Sequence, residues 1–133
     1  MEGILEMLLE KRGIKGGERE RFLNPDYARD THDPFLLADM DSAVERVLEA
    51  IERGERVAVY ADFDCDGIPG AVVVHDFFKK VGHEALEVYI PHRHNEGYGF
   101  HLGAIDDLKG RGVTLMITVD VGTVAYEGIA HAN

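Results

Sequence analysis

The sequence predicts an α/β fold, three-layered around a mostly parallel sheet and preceded by a helical N-terminal extension. Three observations carry this expectation. Short apolar strand patterns alternate with amphipathic helix patterns from residue 41 onward, the mark of βαβ units joined by right-handed crossovers. The first strand pattern, Val57 to Ala61, is a continuous β-branched and aromatic run that reads as buried. All three strand patterns end on chemistry-bearing residues, at Asp62, at Pro91-His-Arg93 and at Asp120, where open parallel sheets place their ligand crevice.

Taken in order, Ile4 to Leu9 suggests a short helix, followed by a looser stretch with Gly13, Gly16 and Gly17. Glu18 to Leu23 reads as a helical turn ended by Asn24-Pro25, because the residue before proline disfavours helical geometry. Residues 24–39 are rich in Pro, Asp and aromatics and are expected to wrap a neighbouring surface, with Phe35, Leu36 and Leu37 as anchors. Asp41 to Arg53 is the clearest helix: Ser42 to Glu45 has capping-box form, Val44, Val47, Leu48 and Ile51 share a face, and Gly54 stops it. After the 57–61 strand comes a helix from about Gly70 to Val81, with Ala71, Val74, Phe78 and Val81 at helical spacing. A strand over 87–90, a helix over 102–111 and a strand over 114–119 complete the pattern.

The 133 residues suffice for one domain or part of one, and 45% hydrophobic residues is ordinary for a globular chain. No apolar run approaches the roughly 20 residues of a membrane span, and no basic-then-apolar leader opens the chain. A membrane partner is therefore not expected. The single cysteine, Cys65, excludes an internal disulfide framework and suits a reducing cytoplasm. The net charge is −11, with 9 basic and 14 acidic residues before position 57 and 5 and 11 after it. A free-standing nucleic-acid module would show a basic stripe. A polyanionic substrate must instead be held by metal, by local cations such as Arg93, or by parts outside this chain.

Asp62, Asp64 and Asp66 follow the first strand within five residues, and Gly67 and Gly70 follow them. Carboxylates this close repel one another, and a hard divalent cation would relieve the repulsion. An EF-hand loop would need a Glu at its twelfth position, where Val73 stands. A haloacid-dehalogenase-type phosphatase, whose nucleophilic Asp also follows a first strand, remains an alternative, as does a solvated acidic turn. Asp120 ends the third strand and is either a helix cap or a further ligand. If the first and third strands are neighbours, their ends lie about 5 Å apart, so the first cluster and Asp120 would share a metal. Gly122 would let the backbone approach a phosphate.

The segment 91–99 supplies Arg93, suited to bidentate phosphate binding, and Gly97, Tyr98 and Gly99 for a tight loop in which Tyr98 would stack or pack. His92, His94 and His101 lie nearby without metal-ligand spacing and are expected to be solvated or supporting. Cys65 is expected to tuck inward, since hard cations do not select thiols. The sequence has no phosphate-loop, Gly-x-Gly-x-x-Gly, Gly-x-Ser-x-Gly or paired-Cys motif.

At Ala61-Asp-Phe-Asp-Cys-Asp-Gly-Ile-Pro-Gly70, Tyr89-Ile-Pro-His-Arg-His-Asn-Glu-Gly-Tyr-Gly99 and Thr118-Val-Asp-Val-Gly122 the sequence resembles the DHH phosphoesterase superfamily, and within it the RecJ-like single-strand exonucleases. Phe22-Leu-Asn-Pro25 and Asp33 to Met40 fit the same resemblance. It departs mildly at Ala61, where glycine is usual, and at Pro69, where threonine is usual. The resemblance implies a Rossmann-like DHH domain and a Mn²⁺- or Mg²⁺-dependent phosphodiesterase with a two-metal site. By it, Asp62, Asp64, Asp66 and Asp120 map onto metal positions, with Asp64, Asp66 and Asp120 catalytic, and Arg93, Gly97, Tyr98, Gly99 and Gly122 onto the phosphate. It also implies an Asp-His-His motif some way beyond Asn133 and a second, substrate-gripping domain. Residues 1–39 are accordingly expected to form the wrap, and residues 40–133 the amino-terminal part of a DHH domain. The partners implied are single-stranded DNA or a short oligonucleotide and the remaining C-terminal part of the protein. The chain alone is expected to be inactive. An oligonucleotide or cyclic-dinucleotide phosphodiesterase, a small-molecule phosphatase and a non-catalytic binding module are the alternatives.

Overall fold

A computed structural model describes residues 2–133, and the chain divides into two compact units, Met1–Asp41 and Ser42–Asn133. The first unit holds α1 (Glu2–Lys11), α2 (Gly17–Leu23), α3 (Tyr27–Asp30) and a 3-10 turn (Pro34–Leu36). Arg19 ties α2 to α1 through a bidentate pair with Glu6. Asp26 caps α3 by accepting from the Arg29 N–H at 2.9 Å. The carboxylate of Asp30, clasped by Arg29 and Arg21, is held well below the usual carboxylate range. The expected anchors Phe35, Leu36 and Leu37 are instead exposed. Phe35 and Leu36 lie in the 3-10 turn and Leu37 caps it, the turn being fixed locally by Asp33, which accepts from the Phe35 N–H. Helix α3 lies within what the sequence suggested was an extended wrap, because Asp26 after Pro25 supplies a cap that periodicity alone does not register.

The second unit is a three-stranded parallel sheet in the order β2-β1-β3, with β1 (Val57–Ala61) at its centre, β2 (Leu86–Tyr89) and β3 (Leu115–Val119). Register pairs Val57 with Leu86 on one side and with Leu115 on the other, and Ala61 with Val119. Every residue of β1 is fully buried, because a central parallel strand is covered on both faces. Alternation divides the core. Val57, Val59 and Ala61 pack with Ala50 of α4 (Met40–Arg53) and Ala71 and Phe78 of α5 (Gly67–Lys80). Ala58 and Tyr60 pack on the other face with Ala104 and Leu108 of α6 (Leu102–Gly110). Helix α7 (Tyr126–Ala132) follows β3, and its Gly128 lies against Phe100, where a Cβ would come 2.5 Å from the ring. This is the expected three-layer α/β architecture with a helical N-terminal extension.

Several boundaries differ from the sequence expectation. Helix α4 begins at Met40, so Ser42 lies inside the helix and its capping box does not form. Helix α5 begins at Gly67 rather than near Gly70, because Asp64 caps it; Pro69 then falls in the first turn, where no intrahelical donor is needed. Leu48 and Val81, expected on buried faces, are about half exposed. Two helices, each about 10 Å across, cover a sheet whose outer strand axes lie only about 10 Å apart, so their outer flanks overhang. Among the described residues no helix is long and apolar enough to cross a membrane.

Candidate active site

The parallel register brings the ends of β1 and β3 together. Ala61 pairs with Val119, so Asp62 and Asp120 are the next residues on adjacent strands at one sheet edge. Asp62 is buried, and its Oδ1 accepts from the Phe63 N–H at 2.7 Å. Asp64 folds the loop onto itself: its Oδ1 accepts from the N–H groups of Asp66 at 3.1 Å and Gly67 at 3.0 Å. These two backbone donors, Gly67 first, hold its carboxyl below the ordinary range. Gly67 has no space for a side chain, since a Cβ would lie 2.3 Å from the Asp62 carbonyl oxygen.

Asp120 turns sharply at the end of β3, with φ 58°, in the left-handed region. It lies close enough to Asp64 for each carboxyl to bear on the other's protonation. Partial desolvation, then the Asp64 carboxylate, then Asp66 and Asp62 push its carboxyl upward. Gly122 also has positive φ, 101°, and lies against the Thr118 side chain. Of the four aspartates singled out, Asp64 bears most strongly on Asp120, with Asp66 and Asp62 as further charges beside it. Among the described residues no three His, Cys, Asp or Glu side chains gather closely enough to hold a metal ion. The donor chemistry nevertheless fits a hard divalent cation, because three neighbouring carboxylates push the Asp120 carboxyl upward and, among the described residues, none of the four enters an ion pair. Cys65 is exposed, not tucked inward as expected; the Asp64 turn points this part of the loop away from the core.

The loop after β2 is built differently. Glu96 accepts from the Tyr89 hydroxyl at 2.5 Å and from the His92 N–H at 2.6 Å, closing residues 92–96 into a turn. Burial, together with that carboxylate, pushes the Tyr89 phenol up to about 12, and the same two donors lower Glu96. Tyr60, reaching up from β1, donates to the Gly99 carbonyl at 3.0 Å and accepts from the His101 N–H at 3.3 Å. Its ring stacks on Tyr89 and meets Phe100 edge-on. Gly97 and Gly99 adopt positive φ, 77° and 115°. His92 and His94 are exposed, and the His101 ring lies 3.3 Å from the Gly97 carbonyl.

Phe63 joins the two loops. The Arg93 guanidinium lies over its ring, 4.7 Å from the centroid, and the Tyr98 ring packs on it with centroids 4.2 Å apart. Among the described residues Arg93 enters no ion pair. Phe63, Tyr60 and Glu96 are not singled out by the sequence pattern. An aromatic set among three aspartates, and a tyrosine in a central strand whose hydroxyl needs a partner, were the available signals.

The family model for the DHH family, N-terminal domain, matches residues 56–133. The chain is similar to the single-stranded-DNA-specific exonuclease RecJ of Bacillus subtilis (strain 168), 35% identical over 92% of this chain and 15% of that protein. It is similar to the protein of the same description from Salmonella typhimurium, 34% identical over 73% of this chain and 17% of that one. The chain thus spans less than a fifth of the length of these relatives. Among solved structures it is similar to the crystal structure of exonuclease RecJ bound to manganese, with TM-score 0.64 and 28% identity over 70% of this chain and 24% of that one. With the family model covering more than half of its residues, and both aspartate loops inside the matched region, the chain belongs to the DHH family.

Proposed function

We propose that this chain is the amino-terminal part of a metal-dependent phosphodiesterase, a RecJ-like exonuclease that hydrolyses single-stranded DNA by a two-metal mechanism. The observation that carries the reading is the placing of Asp62 and Asp120 at adjacent strand ends, with Asp64 near enough to raise the Asp120 carboxyl and Arg93 held over Phe63 on the neighbouring loop. Asp64 and Asp120, with Asp62 and Asp66 beside them, would hold Mn²⁺ or Mg²⁺, which when bound supplies charge neutralisation at the phosphate and an activated water. Asp64, fixed by two backbone donors, offers a carboxylate that stays ionised. Arg93 offers phosphate its in-plane N–H donors, which stacking on Phe63 leaves free. Gly97, Tyr98, Gly99 and Gly122 shape the backbone around that phosphate.

Under this reading residues 1–39 form an N-terminal wrap, and residues 40–133 form the first part of a DHH domain in a cytoplasmic enzyme of DNA repair and recombination. The greater length of the relatives supports a protein in which further metal ligands and a strand-gripping surface come from outside this chain. The net charge of −11 favours a short oligonucleotide among single-stranded substrates. The test is cleavage of single-stranded DNA in Mn²⁺ by the full-length protein and by its Asp64→Asn variant. Activity should fall by about a hundred-fold or more, as when a transition-state electrostatic group is lost. Unchanged cleavage in the variant refutes the site. The 133-residue chain alone should not turn over.

A further inference from the structure

Tyr98 is 63% exposed although it packs on Phe63. Packing therefore does not use up its ring, and much of an apolar surface is left in water at the rim of the site. Several contacts fix its placement. Gly97 and Gly99 flank it with positive φ, the Gly99 carbonyl is fixed by the Tyr60 hydroxyl, and Phe63 backs the ring. Phe63 in turn carries the Arg93 guanidinium. One aromatic ring thus links a cation suited to phosphate with an exposed π-surface, over centroid separations of 4.7 Å and 4.2 Å. A nucleotide has the same make-up: an anionic phosphate and, one sugar away, a flat aromatic base. A sugar phosphate offers Tyr98 only the smaller C–H face of its ring, and inorganic phosphate offers it nothing.

We infer that Tyr98, backed by Phe63, is a stacking platform for a nucleobase adjoining the phosphate that Arg93 grips, so that the site selects base-bearing substrates. The inference deepens the phosphodiesterase reading and rests on it only for the phosphate at Arg93. Stacking on an aromatic ring tolerates all four bases, so the platform confers preference for a base without preference for its identity.

The experiment measures binding of the full-length protein, in Mn²⁺, to short single-stranded oligonucleotides with phosphorothioate linkages. Each oligonucleotide is compared with a counterpart carrying abasic sites in place of its terminal nucleosides. The base-bearing oligonucleotide should bind about ten-fold more tightly in the unaltered protein. In Tyr98→Leu the ratio of the two affinities should fall close to one, whatever happens to each separately, and Tyr98→Phe should restore it. A terminal 2-aminopurine should lose fluorescence on binding the unaltered protein, a readout that requires no variant to fold. An affinity ratio equal in the unaltered protein and Tyr98→Leu, or an unquenched 2-aminopurine, overturns the platform. Cleavage of ordinary oligonucleotides is followed separately. Base-selective binding without cleavage would refute the phosphodiesterase reading and leave the platform standing, whereas cleavage without base selectivity would do the reverse.

Discussion

The loop after β1 holds itself, whereas the loop after β2 is held by side chains from the strands beneath it. In the first, Asp64 accepts from two backbone donors within three residues, and Gly67 closes against the Asp62 backbone. In the second, Tyr60 lies 39 positions from the carbonyl it fixes, and Tyr89 reaches Glu96 seven positions on. A self-held loop is as rigid as its own turn; a clamped loop inherits its shape from the sheet. Asp62, Asp64 and Asp66 thus stand on a construction of their own, and Arg93 and Tyr98, to which we assign phosphate and base, on one that other residues can tune.

The largest expected effect strikes the self-held loop. Gly67→Ala places a methyl 2.3 Å from a backbone oxygen that has no free side chain to yield, so it should cost about 3 kcal/mol in denaturant melts. A loss below about 0.5 kcal/mol would mean the loop can relax, and the contrast between the loops would fail. Next, Tyr60→Phe keeps the ring packing and removes the hydroxyl that serves Gly99 and His101. It should cost about 1 kcal/mol and raise amide exchange over 97–101 while leaving 62–67 protected. Equal deprotection of both loops would show that they open as one unit.

How far the sequence reveals this site follows from the same contrast. The β1 boundaries, the placing of Asp62 and Asp120 at one edge and the three layers are legible because each depends on a run of consecutive residues. The clamps are not, since nothing near Tyr60 in the chain names Gly99 as its partner. Phe63 escapes notice because its neighbours in sequence are aspartates and its neighbours in space, Arg93 and Tyr98, come from another loop. Helix α7 has no strong apolar period; its Gly128 lies against Phe100 in the segment before α6, and its His131 ring reaches Asp106 of α6 at 2.7 Å. Leu48 shows the opposite error, a correct helical face on a sheet too narrow to cover it.

The smallest expected effect is a pH dependence of the clamped loop. Glu96 has a lowered carboxyl, so its contribution is present above the ordinary glutamate range and is lost as pH falls through its folded value. Tyr89 is raised to about 12, so its contribution is complete below the ordinary tyrosine value near 10 and is lost as pH rises from there through about 12. Near-ultraviolet circular dichroism of the tyrosines should be flat between about pH 5 and about pH 9 and should change outside that window. Glu96→Gln should flatten the acid limb; an unaltered acid limb would show that another carboxylate governs it.

The left-handed turn at Asp120, φ 58°, has a consequence for how the domain would respond to selection. That backbone costs an L-residue about 1 kcal/mol, and the carboxylate it carries is turned toward a second one. Glycine relaxes the first and asparagine softens both, so a screen for heat resistance alone would be drawn to this position. Either replacement discards the carboxylate offered at the sheet edge. On the proposed metal role of Asp120, robustness and competence pull against each other at a single residue, and any programme to harden the domain would have to hold position 120 fixed while it searches elsewhere.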